Sequence, residues 1–209
     1  SNKSYPMLLF LRGSHRAGNN LSKLLFDGIP NLLDRGYKLD SKNPADGKIY
    51  KFIVITPQAG QWGLNPDQIK EVLDDMQQHY RVDASRIYIT GYSAGGSGTV
   101  TALTDNPALT RRFAAAAILS PVMLNDKNLH SFKMVADAKV PCWYFAGTAE
   151  PHFLRNARMD TDSTNKYMPG LAHMTIHGFR HCCFKEIYKP TYRPKGKNIY
   201  EWFLENKRQ

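Results

Sequence analysis

Gly91-Tyr92-Ser93-Ala94-Gly95 places one serine between two glycines. A strand-like alternation over residues 87–90 runs into it, and a helix-like stretch over residues 94–104 follows. That spacing fits G-x-S-x-G, whose chemistry is nucleophilic attack by the serine hydroxyl. A strand turning sharply into a helix forces the apex residue into strained angles. It also leaves no room for side chains two positions to either side, which calls for glycine there. The apex hydroxyl then stands at a helix N-terminus, where negative charge is favoured. The competing reading is an ordinary strand–helix turn with Ser93 as its cap.

A serine nucleophile needs a base, an acid that orients the base, and donors for the oxyanion. His181, in the segment GFRHCCF, follows the last apolar run by a few residues, where a loop can fold back toward Ser93. His177 is still inside that run and reads as a packed histidine; His130, His152 and His173 are weaker candidates. Glu150 follows the run ending at Gly147 and is the first choice for the acid, with Asp160 and Asp162 as alternatives. The order Ser93, Glu150, His181 is the hydrolase order Ser, Asp/Glu, His. The backbone N–H of Ala94 supplies one oxyanion donor by position. The loop after the first apolar run, FLRGSHRAGNN, supplies the second, for which Ser14 is the choice because Gly13 allows close approach.

Elements able to hold these residues alternate along the chain. Short apolar runs at 7–11, 51–56, 87–92, 114–119, 142–146 and 173–177 suit strands of a parallel sheet covered on both faces. Helical spacing marks 21–33, 66–80, 94–104 and 199–204, the second opened by Asn65 as N-cap and Pro66 at its first position. Residues 35–51 and 160–171 read as irregular loops. The 209 residues, 42% of them hydrophobic, fit one α/β domain over 1–209 with a core of its own. No apolar run approaches the roughly 20 residues needed to span a bilayer. The chain opens on Ser1 rather than Met, so a removed leader, and with it a secreted or periplasmic location, stays open. Cys142, Cys182 and Cys183 form no CxxC pair, which argues against zinc or thioredoxin chemistry, and they read as buried free thiols. Neither metal nor cofactor is called for.

The net charge of +10 gathers late, at Lys185, Lys189, Arg193, Lys195, Lys197, Lys207 and Arg208. With Arg12 and Arg16 in the oxyanion loop, it raises the expectation of anionic substrates steered toward the cleft; the plainer reading is a solvated basic surface. No nucleic-acid-binding motif is present.

With those residues placed, the chain resembles the α/β-hydrolase superfamily. Within it, it is similar to the bacterial esterase and predicted peptidase group related to polyhydroxybutyrate depolymerases and feruloyl esterases. The stretches that carry the resemblance are YPMLLFLRGSHRAGNN, YRVDASRIYITGYSAGGSGT, RRFAAAAILSPV, VPCWYFAGTAEP, GFRHCCF and YEWFLENK. The resemblance implies a mostly parallel sheet of about six strands with helices on both faces, lacking the group's two usual N-terminal strands. That leaves a sheet edge open to pairing with a partner chain. It implies a serine hydrolase acting on a small-molecule or carbohydrate-linked carboxylic ester. A peptidase with the same triad, or a hydrolase-like binding module that has lost catalysis, are the alternatives. The chain departs from the group's pattern in having Arg12-Gly13 for His-Gly, Arg16 near the place of an acidic residue, and Glu150 for aspartate.

Overall fold

Tyr5–Leu11 (β1) is apolar on successive residues because both of its faces are covered. Met7, Leu9 and Leu11 point into one hydrophobic layer, and Leu8 and Phe10 into the other. The same alternation recurs in Val82–Tyr92, Ala115–Leu119 and Cys142–Gly147. The computed structural model describes residues 3–60, 62–122, 126–182 and 184–208, without the side chains of 126–128. In chain order its strands are β1, β2 (Ser41–Lys42), β3 (Ile49–Tyr50), β4 (Ile53–Ile55), β5 (Val82–Tyr92), β6 (Ala115–Leu119), β7 (Cys142–Gly147) and β8 (Ala172–His177). Its helices are α1 (Gly28–Asp34), α2 (Pro66–His79), α3 (Ala94–Thr104), α4 (Pro107–Thr110), α5 (Phe132–Asp137), α6 (Pro151–Tyr167), α7 (Phe184–Ile187) and α8 (Ile199–Glu205).

Six strands form one sheet in the order β4-β1-β5-β6-β7-β8, and every pair in it is parallel. Helices α2, α3, α5 and α6 cover one face; α1, α7 and α8 cover the other. The chain leaves β1 for the β4 side and returns past β1 to β5, so the strand order reverses between β1 and β5. In open α/β sheets ligands bind in the crevice at the carboxyl ends of strands flanking such a reversal. Register aligns Leu11 with Gly91, Tyr92 with Leu119, and Gly147 with His177. The loops after β1, β5, β6, β7 and β8 therefore emerge along one edge of the sheet.

Four expectations are corrected. Residues 21–33 are not one helix: a 3-10 segment, Leu21–Phe26, ends at Asp27, and α1 begins at Gly28. Gly28 has φ +59°, and a Cβ there would strike the Phe10 ring, so the close approach to β1 breaks the helix. The break leaves Leu21 and Phe26 exposed at 66% and 61%. Residues 35–51 hold the short antiparallel hairpin β2–β3. Residues 160–167 belong to α6, whose buried face is largely polar: Asn156, Asp160, Thr161 and Thr164. The Thr161 and Thr164 hydroxyls donate to the carbonyls of Ala157 and Asp160 one turn back, which satisfies them without breaking the helix. Cys142 is buried as expected, but Cys182 is exposed, and Cys183 lies outside the described residues.

Contact between α3 and β1 is made backbone to backbone. A Cβ on Gly95 would run into the carbonyl of Leu11, and one on Gly91 into the carbonyl of Gly95. Backbone cannot swing aside as a flexible side chain does. Gly95→Ala is therefore expected to destabilise the fold by about 1–3 kcal/mol or more. Gly63→Ala, with nothing within 4 Å of the added carbon, should stay within about 0.5 kcal/mol of the parent. Urea unfolding of both variants checks this.

Candidate active site

Ser93 joins β5 to α3 with φ 54° and ψ −120°, angles that cost a non-glycine residue about 1–3 kcal/mol. Its N–H donates to Leu119 O, which ties the turn to the neighbouring strand. The strain is held by packing on both sides, since Gly91, Gly95 and Gly96 all abut backbone carbonyls.

His181 reaches this turn from the loop after β8. Its Nε2 lies 2.9 Å from Ser93 Oγ, and its Nδ1 lies 2.6 Å from Glu150 Oε2. Glu150 sits at the N-terminal boundary of α6, just past the end of β7, with its side chain almost wholly buried. The other oxygen, Oε1, accepts from Ser120 Oγ at 2.5 Å and from the Gly147 N–H at 2.7 Å. Burial disfavours the Glu150 carboxylate. Hydrogen bonds from His181, Ser120 and Gly147 outweigh that cost, and the carboxyl lies below its ordinary value. The His181 ring is fixed from two sides. Phe153 stacks on it with centroids 3.8 Å apart and planes 13° apart, and Phe184 meets it edge-on at 5.1 Å. Hydroxyl, imidazole and carboxylate thus stand in one hydrogen-bonded line, an arrangement able to withdraw a proton from Ser93 and stabilise the resulting imidazolium.

Ala94 opens α3 directly beside Ser93. Ser14 opens a 3-10 turn, Ser14–Arg16, after β1. The loop lies against the elbow: a Cβ on Gly13 would meet the Tyr92 ring, and the His15 ring stands 6.0 Å from that of Tyr92. A small pocket opens beside Ala94, lined in part by Leu11, Arg12, Pro57, Leu64 and Gly98.

The alternatives fall elsewhere. Asp160 and Asp162 lie along α6. Asp160 is buried, and burial pushes its carboxyl up to about 7. His177 is buried, with Nδ1 accepting from the Phe179 N–H, and burial pushes it down against the opposing field of Glu150. His173 is pushed down to about 4 by burial and by Lys195 and Lys197. His152 is exposed in the first turn of α6, and His130 is exposed too. Reading the sequence missed Ser120, Phe153 and Phe184. Ser120 alone carried a signal, as the polar residue that ends the apolar run at 114–119; in the structure its φ is +45°.

Five of the nine cations behind the anionic-steering expectation are engaged in the fold or stand away from Ser93. Arg12 is buried and donates to carbonyl groups. Lys189 pairs with Glu186, Arg193 with Glu201, and Lys197 with Glu205. Lys195 and Lys197 line a hollow with Trp143 and His173, near the amino ends of β7 and β8 and so at the opposite end of the sheet from Ser93. No helix among the described residues is long and apolar enough to cross a membrane.

The sequence model of the prolyl oligopeptidase family matches residues 54–169. No curated protein matches the chain. Among solved structures it is similar to a thermostable esterase, with 20% identity over 99% of this chain and a TM-score of 0.65; it spans 56% of that protein's length. A ferulic acid esterase is 16% identical over 89% of this chain and 83% of its own, with a TM-score of 0.60. The substrate-bound fluorophosphonate-binding serine hydrolase FphF of Staphylococcus aureus is 15% identical over 97% and 84%, with a TM-score of 0.62. At these identities the likeness concerns the fold, which is that of the α/β-hydrolases.

Two outcomes are expected. Ser120→Ala should leave the fold intact and lower kcat about tenfold with KM little changed, because a hydrogen bond to a charged group is worth about 1.5–3 kcal/mol. Steady-state kinetics with any turned-over ester checks this. Folded Asp160 keeps its proton to about pH 7, whereas the unfolded chain releases it near about 4. Between those values the folded state binds the extra proton, so this residue's contribution to stability falls as pH rises and is fully unfavourable above about 7. Asp160→Asn removes that slope. Its urea midpoint should gain on the parent's between pH 4 and about pH 7 and hold that lead at pH 8, and parallel curves would contradict the assignment.

Proposed function

The chain belongs to the prolyl oligopeptidase family of serine hydrolases, and on that premise we propose that it hydrolyses a carboxylic ester through Ser93, His181 and Glu150. The observation that carries the reading is the hydrogen-bonded line from Glu150 Oε2 through His181 to Ser93 Oγ, with contacts of 2.6 and 2.9 Å. Ser93 Oγ attacks the acyl carbon as its proton passes to His181 Nε2. The negative charge on the tetrahedral oxygen falls between the N–H groups of Ala94 and Ser14, at the positive end of α3. His181 returns the proton to the leaving oxygen, and water repeats the sequence on the acyl-enzyme. Glu150 holds the imidazole in one tautomer and offsets its charge in the transition state. A small-molecule or carbohydrate-linked ester is the proposed substrate, in keeping with the esterase names of the similar structures. Amide hydrolysis by the same groups is the second reading, favoured by the family match itself.

A fluorophosphonate should form one adduct, at Ser93, seen by mass spectrometry on the folded protein and absent in Ser93→Ala. Glu150→Gln should cut kcat by about 10²–10⁴, while Asp160→Asn should keep it. The absence of an adduct on folded protein would sink the hydrolase reading. Matched p-nitrophenyl esters and p-nitroanilides separate the ester reading from the amide one.

A further inference from the structure

Arg12 stands at the end of β1, 4% exposed, and its guanidinium donates to four described partners. Nε binds Gln58 Oε1 at 2.8 Å, and Nη2 binds Ala59 O at 2.6 Å. Nη1 binds Gly13 O at 3.0 Å and Trp62 O at 3.3 Å. Gln58 completes the strap from the other side: its Nε2 donates to Arg16 O and Asn20 O, while Gly18 N–H donates to Ala59 O. The loop that carries Ser14 is thus bound along its length to Gln58, Ala59 and Trp62.

One of these bonds bears on chemistry. Gly13 O and the Ser14 N–H belong to the same peptide unit. That unit is planar and trans, so its C=O and N–H point in opposite directions. Fixing the oxygen therefore fixes the direction of the N–H. Gly13 O is held by Arg12 Nη1 and by the Arg16 N–H at 3.2 Å. A guanidinium stays charged in proteins. A charged donor on the oxygen also polarises the peptide and strengthens the N–H as a donor.

We propose that Arg12 is a positioning residue for the oxyanion: through Gly13 O it aims and polarises the Ser14 N–H. The proposal rests on the hydrolase reading above and adds to it the residue that sets the second donor. It gives a reason for a guanidinium at this place. The fork spans Gly13, Ala59, Gln58 and Trp62 together, which an imidazole with two nitrogens cannot do. Misaiming a preorganised donor by about 1 Å costs on the order of 10²-fold in rate.

The experiment compares a p-nitrophenyl ester with its thiono counterpart, in which sulfur replaces the carbonyl oxygen and accepts poorly from oxyanion donors. Rates are expressed per active site, titrated with fluorophosphonate to completion. Arg12→Met should lower kcat for the oxygen ester about 10²-fold with KM little changed. It should slow the thiono ester much less, so that the oxygen-to-thiono ratio shrinks about tenfold. Arg12→Lys, which keeps the charge but cannot span the fork, should fall between Met and the parent. Gln58→Leu keeps the Gly13 contact and provides a milder variant if Arg12→Met does not fold; its ratio should move in the same direction by a smaller factor. A purely structural role would slow both esters equally, and an unchanged ratio in active variants overturns the proposal. A parent chain that neither labels at Ser93 nor cleaves esters overturns the hydrolase reading itself, and the role of Arg12 with it.

Discussion

Backbone packed on backbone where β1, β5 and α3 meet is the constraint on which the site depends. Without Cβ atoms at Gly91 and Gly95, the first turn of α3 rests directly on the carbonyl end of β1. Three consequences follow from that single approach. Ser93 is driven into angles it would not adopt alone. The helix N-terminus comes beside the hydroxyl. The loop after β1 comes against the elbow, with Gly13 close to the Tyr92 ring. The strain is sustained because α3 is buried along most of its length, so relaxing the turn would require lifting a whole helix from the core.

The proposed acid and base depend on a different economy. Glu150 is buried, yet it keeps its charge because three donors converge on its two oxygens. Two of them are supplied by strand ends, Ser120 after β6 and Gly147 closing β7, so the rigidity of the sheet passes directly to the carboxylate. Glutamate is one methylene longer than aspartate. Here that length is taken up by placing the residue at the boundary of α6, from which it reaches back to Gly147. The imidazole, arriving on a less regular loop, is steadied by aromatic rings rather than by strands.

Much of this was legible in the chain because parallel strands covered on both faces leave continuous apolar runs. The six strands of the parallel sheet all stand near where those runs placed them. The elbow was legible for the same steric reason that shapes it, and the order of Ser93, Glu150 and His181 followed from strand ends. Helix α6 was not legible, because polar side chains fill its buried face and hide the helical period. The break at Gly28 was hidden too, since the apolar spacing of residues 21–33 continues across it. Ser120, Phe153 and Gln58 act through contacts distant in sequence, Gln58 meeting Arg12 across 46 positions and Ser120 meeting Glu150 across 30. No local pattern encodes such meetings.

Phe153 also limits how the reaction can run. Lying flat on the imidazole, with Phe184 at its edge, it holds the plane of the ring. In the proposed reaction, the nitrogen that receives the Ser93 proton would then be the one that delivers it. A leaving oxygen would depart past that same atom, within hydrogen-bond reach of where Ser93 Oγ began. The path of a departing group, as much as the attack itself, would then be set by the placement of one phenyl ring.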